Sequence, residues 1–532
     1  MYLIDCTFRD GGYYNNWDFS DCLVIDYLSA LDAAGVEYVE LGFRSFDING
    51  FRGACAYTTD SYLRSLAIPP RLKVGVMMNA AELVQHPLGP LPAAALLFRP
   101  TGESPVSLVR FACHIHEFEA TLPVCAWLKS LGYTVGINLM QVADRTDQEL
   151  EHIAEMASGC PLDVLYFADS LGSMDPLQTA RVVQALRAKW HGALGIHTHD
   201  NMGLGVANTL RAIEEGVTWI DSTVTGMGRG PGNAQTEYMV IELERLTGRK
   251  VNLTPLLALI RQHFAPMQAR YGWGKNPYYY LAGQYGIHPT YIQEMLGDPR
   301  YGEAEILSVI DHLRQVGGKK FSMATMEAGR QLLGGDASGS WSPASVMAGR
   351  DVLILGAGAG VTAHRDAVQR FIRESCPFVI ALNTQTAVDA ELINVRAACH
   401  PFRLMADCEK YRSLPQDLVV PLASLNEVVR TDLEAVNKLD FGLVVEPGVF
   451  AFNETSAVTP SSLVMAYALA IATSGKAQRI LLAGFDGYGS DDPRSVEMDA
   501  LFSLYEKSPG SLPLLAITPT RYKIPASSVY AM

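Results

Sequence analysis

Short apolar runs alternate with helical patterns through the first 250 residues. Runs at 2–6 (YLIDC), 37–43 (EYVELGF), 72–78 (LKVGVMM), 107–112 (SLVRFA), 133–139 (YTVGINL), 163–168 (DVLYFA), 193–197 (ALGIH) and 218–224 (TWIDSTV) read as strands. Helical patterns lie between most of them. Ser20 caps one that runs through Leu23, Tyr27, Leu28 and Leu31 and closes at Gly35; 147–157 and 176–190 are others. Eight such alternations in this length predict an α/β fold, a (β/α)8 TIM barrel of parallel strands over residues 1–250.

Beyond the barrel the pattern changes twice. Residues 251–333 lack strand alternation, and the aromatic run NPYYYLAGQYGIHPTYIQEML predicts a helical extension over the barrel mouth. Residues 334–349 (GGDASGSWSPASVMAG) are small and polar and read as a linker. Residues 350–532 predict a second α/β domain, Rossmann-like and doubly wound, with strands at 352–355, FVIALN ending at Asn383, VVPL at 419–422, LVVEPG at 443–448 and RILLAGFDGYG at 479–489. Its first strand runs into a glycine turn at Gly356, Gly358 and Gly360 and then a helix, a phosphate-binding pattern. The turn is GxGxG and not GxGxxG, and no acidic residue closes the next strand, so NAD is a weak expectation and a nucleotide ligand stays open.

Composition narrows the possible roles. A hydrophobic content of 48% with 18% charged residues belongs to a folded chain, and 532 residues require more than one domain. The net charge of −14 argues against nucleic acid or an anionic membrane surface as partner. No apolar run approaches the ~18 residues that span a bilayer. The N-terminus lacks the pattern of a signal peptide, and nine scattered cysteines without a CxxC pair read as reduced thiols, so a cytoplasmic location is expected.

Candidate chemistry gathers where barrel strands end. GIHTHDNMG places His197 and His199 two residues apart, on one face of a strand, as two ligands of one ion must be. An isolated HxH is as often two core histidines, and Asp10 alone is as often a helix cap or a partner of Arg9. The barrel changes that reading, because its active sites lie at the C-terminal strand ends. Arg9 and Asp10 follow strand 1, Glu40 is late in strand 2, Asn138 is in strand 5 and Asp169 follows strand 6. His197 and His199 end strand 7, and the glycine-rich loop after strand 8 carries Asn233. An aspartate, two histidines and an asparagine or waters suit Mn²⁺ or Mg²⁺, with Co²⁺ and Zn²⁺ as alternatives.

RDGG after strand 1, Glu40 in YVELGF, HTHDN at strand 7 and GMGRGPGN after strand 8 resemble the metallolyase family of TIM barrels, which includes 3-hydroxy-3-methylglutaryl-CoA lyase and isopropylmalate synthase. The nearest likeness is to the 4-hydroxy-2-oxovalerate aldolase branch. The resemblance implies a divalent-metal-dependent carbon–carbon lyase or aldolase working through a pyruvate-type enolate and an aldehyde, in an assembly of several copies. It implies that Asp10, His197 and His199 bind the metal with Asn233 as a further ligand, that Arg9 steadies the enolate oxygen, and that Glu40 supports Arg9. It also implies a tyrosine over the site, with Tyr285 the best match and Tyr278 to Tyr280 in competition; His288 reads as structural. Similar aldolases place a histidine three positions after the aspartate, where this chain has Tyr13, so either Tyr13 relays through a metal-bound water or the base lies elsewhere. Biotin-dependent carboxyltransferases carry a lysine where this chain has Ala168, which disfavours carboxyl transfer. An acyl-CoA-dependent Claisen-type synthase remains the alternative. The second domain resembles Rossmann-like domains of glycan and sugar-nucleotide enzymes, which implies a nucleotide phosphate at the glycine turn, with Asp486 facing it, and a transferase-like activity as a further alternative. Cys399 and His400 are chain neighbours and point apart, so no dyad is expected there.

Overall fold

The computed structural model describes residues 1–332, 334–489 and 491–532. The chain forms two units: Met1–Gln293 with Gly317–Phe321, and Glu294–Val316 with Ser322–Met532.

In the first unit eight parallel strands close a barrel: β1 (Tyr2–Asp5), β2 (Tyr38–Phe43), β3 (Lys73–Asn79), β4 (Val106–Cys113), β5 (Thr134–Leu139), β6 (Val164–Asp169), β7 (Ala193–Thr198) and β8 (Trp219–Ser222). β8 pairs with β1 in register from Tyr2 opposite Trp219 to Asp5 opposite Ser222, which brings both ends of the barrel sequence together. The strands read as near-continuous apolar runs because crossover helices cover their outer faces while side chains fill the inside. Capping boxes start the helices at Thr146 and Asp175, each with the N3 side chain returning to the cap.

The barrel interior is not uniformly apolar. Arg110 of β4 is fully buried, with its guanidinium 4.5 Å from the ring centre of Tyr166 of β6. Tyr166 finds its room at Gly195 of β7, where a Cβ would lie 2.4 Å from the tyrosine ring. Gly195 therefore clears the layer immediately below His197.

The second unit holds a seven-stranded sheet in the order β14-β13-β12-β11-β10-β18-β19, all parallel. Its strands are β10 (Asp351–Leu355), β11 (Phe378–Leu382), β12 (Val395–Ala397), β13 (Asp417–Val420), β14 (Lys438–Asp440), β18 (Arg479–Ala483) and β19 (Leu514–Ala516). Val352 and Ile354 face a core built with the helix Val464–Ser474, while Leu353 and Leu355 face a core built with the helix Arg365–Ser375, so the sheet is covered on both sides.

Two expectations for this half are corrected. The LVVEPG run does not join the parallel sheet. Its strand β15 (Gly442–Val445) is separated from the end of β14 by the single residue Phe441, too short a connection for the crossover that a parallel neighbour needs. It lies instead in a four-stranded sheet with β9 (Gly334–Asp336), β16 (Ala451–Phe452) and β17 (Ser456–Thr459). β9 also corrects the linker reading, because Gly334–Asp336 pairs antiparallel with β15 and Met347 is buried. The stretch expected as one helical extension is divided as well: 251–293 and 317–321 belong with the barrel, while Glu294–Val316 and Ser322–Leu332 belong with the second unit; Leu333 lies outside the described residues.

Gly195→Ala is expected to displace Tyr166 and destabilise the barrel by about 1–3 kcal/mol, the usual cost of overfilling a close-packed interior. The check is the thermal midpoint by calorimetry; an unchanged midpoint would show that the layer below His197 has slack.

Candidate metal centre

A cavity of about 830 Å³ opens at the C-terminal ends of the barrel strands. Arg9, Asp10, Tyr13, Asn138, His197 and His199 all line it. Arg9 and Asp10 stand on the short helix Thr7–Gly11 directly after β1. That turn is fixed by Asp5, whose Oδ1 accepts from the Thr7 amide (2.8 Å), and by Trp17, whose indole N–H donates to the Arg9 carbonyl (2.9 Å). Gly12 makes room for this indole, since a Cβ there would lie 2.0 Å from it.

The charged groups form one continuous buried network. Arg9 donates to Asp10 through Nη1 and to Glu40 Oε1 through Nε (2.6 Å). Arg110 donates to both oxygens of Glu40 (2.7 and 2.9 Å) and to both oxygens of Asp221 of β8 (2.8 Å each). Asp221 Oδ2 in turn lies 2.9 Å from His197 Nδ1. Burial pushes the pKa of Glu40 and Asp221 up, but Arg110, Arg9 and the hydrogen bonds to the carboxylates together outweigh it and hold both below their ordinary range. Burial likewise works against the Arg9 guanidinium, and Asp10 and Glu40 more than restore its charge.

This network decides how His197 is presented. The neutral ring donates from Nδ1 to Asp221, so its lone pair is on Nε2, which lies 3.4 Å from Asp10 Oδ2. The His197 and His199 rings are 5.4 Å apart, on the same side of the β7 terminus. Around them several buried atoms lack a hydrogen-bond partner: Asp10 Oδ2, His199 Nδ1, Asn138 Oδ1, Asn233 Oδ1 and the donor Arg9 Nη2. Unpaired buried acceptors are costly. Here a carboxylate oxygen and two imidazoles line one cavity, with the amide oxygen of Asn138 on the same wall. This donor set fits a divalent cation. Burial pushes the His199 pKa far down, which keeps that ring neutral as a ligand must be.

Among the described residues, the His/Cys/Asp/Glu group whose ligand atoms lie within 4.8 Å of one another is Cys6, His197 and Asp221, not Asp10, His197 and His199. Arg110 engages both Asp221 oxygens and the Cys6 sulfur (3.2 Å), and burial drives the Cys6 thiol pKa up. Asp221 thus serves as the carboxylate that orients a histidine, an arrangement typical of metal-binding imidazoles.

Other expected residues fall as follows. Asn233 lies at the site: its Nδ2 donates to His197 Nε2 (3.1 Å) and to the Thr198 carbonyl (3.2 Å), and its Oδ1 has no hydrogen-bond partner. Asp169 is not in the cavity; its carboxylate accepts the amides of Ser173 and Met174 and closes the loop after β6, and burial raises its pKa to about 6. Strand alternation gives the cavity position to Ala168. Tyr285 ends the helix Pro277–Gln284 and lies outside the cavity lining, because the chain turns at Gly286 (φ 63°) and delivers His288 to the cavity instead. His288 Nδ1 accepts the Thr290 amide (3.3 Å), so its ring proton is on Nε2; burial lowers its pKa to about 4. Sequence reasoning missed His288 as a cavity residue, and it missed Arg110 and Asp221 altogether. The available signal was a charge at an inward position of an apolar strand, in SLVRFA and TWIDSTV.

In the second unit the three glycine amides of the turn are taken. Gly356 N–H donates to the Ala483 carbonyl (2.8 Å), Gly358 N–H to the Gly484 carbonyl (2.9 Å) and Gly360 N–H to Asp486 Oδ2 (2.7 Å). Asp486 thus faces the glycine turn, as expected, through its bond to the Gly360 amide.

Comparison with known proteins fits the barrel half. The HMGL-like family profile matches residues 112–261. The chain is 32% identical over 251 residues to 4-hydroxy-2-oxovalerate aldolase of Brevibacillus brevis, covering 46% of this chain and 70% of that protein. The chain belongs to the HMGL-like family. It is also 30% identical over 360 residues to 4-hydroxy-2-oxovalerate aldolase 2 of Rhodococcus jostii (65% of this chain, 95% of that one). Oxaloacetate decarboxylase of Mycobacterium tuberculosis is 30% identical over 247 residues, 46% of this chain and 70% of that one. Membership makes the chain an enzyme of the metal-dependent carbon–carbon lyase class.

Asp221→Asn is expected to release the Nδ1 proton of His197 and weaken Mn²⁺ binding about 10- to 100-fold, read by isothermal titration. Affinity equal to wild type would mean that Arg110, and not His197, is what Asp221 serves. For His288 the folded pKa lies below the unfolded one, so its contribution to stability is complete above the ordinary histidine range and lost as pH falls toward about 4. His288→Gln should therefore lessen the fall of the thermal midpoint between pH 6.5 and 4.

Proposed function

We propose that the barrel makes or breaks a carbon–carbon bond next to the ketone of a 2-oxoacid, with a pyruvate-type enolate and an aldehyde as the two partners. The observation that carries this is the pairing of Arg9 Nη2, a buried donor without an acceptor, with the unpartnered ligand atoms of Asp10 and His199. One group is ready for a developing oxyanion and the other for a cation. The names of the relatives converge on the same species: retro-aldol cleavage of 4-hydroxy-2-oxovalerate and decarboxylation of oxaloacetate both pass through the enolate of pyruvate.

Asp10, His197 and His199 would hold the ion, Mn²⁺ or Mg²⁺ by the hardness of a carboxylate-containing set. A divalent cation there supplies Lewis acidity toward the ketone and carboxylate of the 2-oxoacid. Arg9 directs Nη2 at the ketone oxygen as charge grows on it, and Glu40 fixes the guanidinium plane by holding Nε. Tyr13 is the hydroxyl that follows Asp10 on the cavity wall; its ring lies under the Arg229 guanidinium at 4.7 Å. Tyr13 would accept the hydroxyl proton of the aldol in cleavage and return it in condensation. His288, a neutral donor at Nε2, would steady the aldehyde oxygen.

With Mn²⁺ present, the methyl protons of pyruvate should exchange in D₂O, followed by proton NMR. Asp10→Asn and His199→Ala should abolish both Mn²⁺ binding and exchange. Arg9→Lys should keep the metal and slow exchange about 10²- to 10³-fold, the scale seen when one oxyanion donor is lost. Exchange that persists in Asp10→Asn would overturn the reading.

A further inference from the structure

The cavity carries more positive charge than a 2-oxoacid requires. Arg9, Arg145, Arg229, Lys319 and Lys320 line it, against Asp10 and Glu117. Most of these charges are already engaged. Arg9 serves Asp10 and Glu40, Lys319 lies 2.9 Å from Asp144, and Arg145 lies 3.5 Å from Glu149. Glu117 is engaged as well, accepting the His114 amide at a helix start (2.9 Å).

Arg229 differs from the rest. Among the described residues no carboxylate lies within ion-pair distance of it, and its Nε is buried with no hydrogen-bond partner. The guanidinium rests on the Tyr13 ring at 4.7 Å, which fixes its plane without engaging its donors. Lys320, on the segment Gly317–Phe321, is exposed at the same cavity and likewise has no carboxylate partner among the described residues. Its backbone is held in place, because the Lys320 carbonyl accepts from the Tyr291 hydroxyl (2.9 Å) and the Gly318 carbonyl accepts from the His288 amide (2.8 Å).

A half-buried guanidinium with unused donors, clamped in plane by an aromatic face, is a receptor for a planar or tetrahedral oxyanion. We propose that the acceptor aldehyde is itself an anion, a phosphate- or carboxylate-bearing aldehyde, whose charged end is held by Arg229 and Lys320. This rests on the aldolase reading above, in which the carboxylate of the 2-oxoacid goes to the metal and the hydrogen-bond donors of Arg229 are left unassigned. The aldehyde fragment of 4-hydroxy-2-oxovalerate, acetaldehyde, carries no charge and would leave both cations idle. The volume is consistent with a longer partner: about 830 Å³ lies in the range of roughly 300–1,000 Å³ that encloses ligands of drug size. The charged end takes no part in bond making. The new bond joins C3 of the enolate to the aldehyde carbon, and the proton that leaves C3 is balanced by the one gained at the aldehyde oxygen.

The test uses the full chain with Mn²⁺ and pyruvate, and measures initial rates of condensation by product mass. Glyceraldehyde 3-phosphate and succinic semialdehyde are set against neutral glyceraldehyde and butyraldehyde. At least one anionic aldehyde is expected to exceed its neutral counterpart at least tenfold in kcat/KM, and the phosphate and carboxylate arms identify which anion the clamp takes. Arg229→Gln should cut that ratio about tenfold, and Arg229→Lys should restore part of it. Lys320→Met, at an exposed position that does not threaten folding, should cut it severalfold. Equal rates for charged and neutral aldehydes would overturn the proposal. So would an Arg229→Gln variant with an unchanged ratio and a raised KM for pyruvate, which would assign Arg229 to the 2-oxoacid. Exchange of pyruvate protons by the wild-type chain separates the two readings: its absence overturns both, and its presence with a ratio near one overturns the clamp alone.

Discussion

The mouth of the barrel is organised by one guanidinium that never meets water. Arg110 donates to Glu40 on one side and Asp221 on the other, and those two carboxylates set the orientation of Arg9 and His197. Placing an arginine there is expensive. Burying the pair of carboxylates without it would cost more, about 3–5 kcal/mol by the usual measure of a broken buried ion pair. The network gives directionality in return. Each working group is held by a second charged group that does not touch the reacting atoms.

Charge counting shows what the network leaves open. Arg9 and Arg110 face Asp10, Glu40 and Asp221, so the cluster carries one excess negative charge with His197 neutral. A divalent cation reverses that sign and makes the floor of the cavity attractive to an anionic substrate. The geometry and the charge balance thus lead to the same conclusion.

Much of this was legible in the chain, and the parts that were not share a physical reason. The barrel strands announced themselves as apolar runs, and His197 with His199 followed from the two-residue period of a strand. Arg110 and Asp221 are separated by 111 residues and meet only when the barrel closes, so no local pattern marks them as partners. Tyr285 and His288 are three residues apart in an aromatic stretch, and a single turn at Gly286 decides which of them reaches the cavity. The glycine turn at Gly356 to Gly360 was legible as a motif. Only the folded sheet shows that its three glycine amides are met within the chain, by two carbonyls and Asp486. β15 was misplaced in the parallel sheet because its hydrophobic run looks the same in either sheet; the one-residue connection from β14 was the better guide.

The segment Gly317–Phe321 has an effect beyond its length. It belongs to the barrel, yet the chain on both sides of it, Glu294–Val316 and the stretch from Ser322 onward, belongs to the other unit. This stretch of cavity wall is therefore supplied as a loop tethered at both ends to the chain of the second unit. Tethering raises its effective concentration at the barrel, so a few hydrogen bonds suffice to seat it. The same tether makes the wall conditional. The eight strands are complete at Ser222, but the cavity is finished only after the chain has left, begun another core and returned. A cut after Gln293 would free a barrel with all its metal ligands and an open side. The cavity wall at Lys319, Lys320 and Phe321 thus depends on a chain path that runs through the second unit.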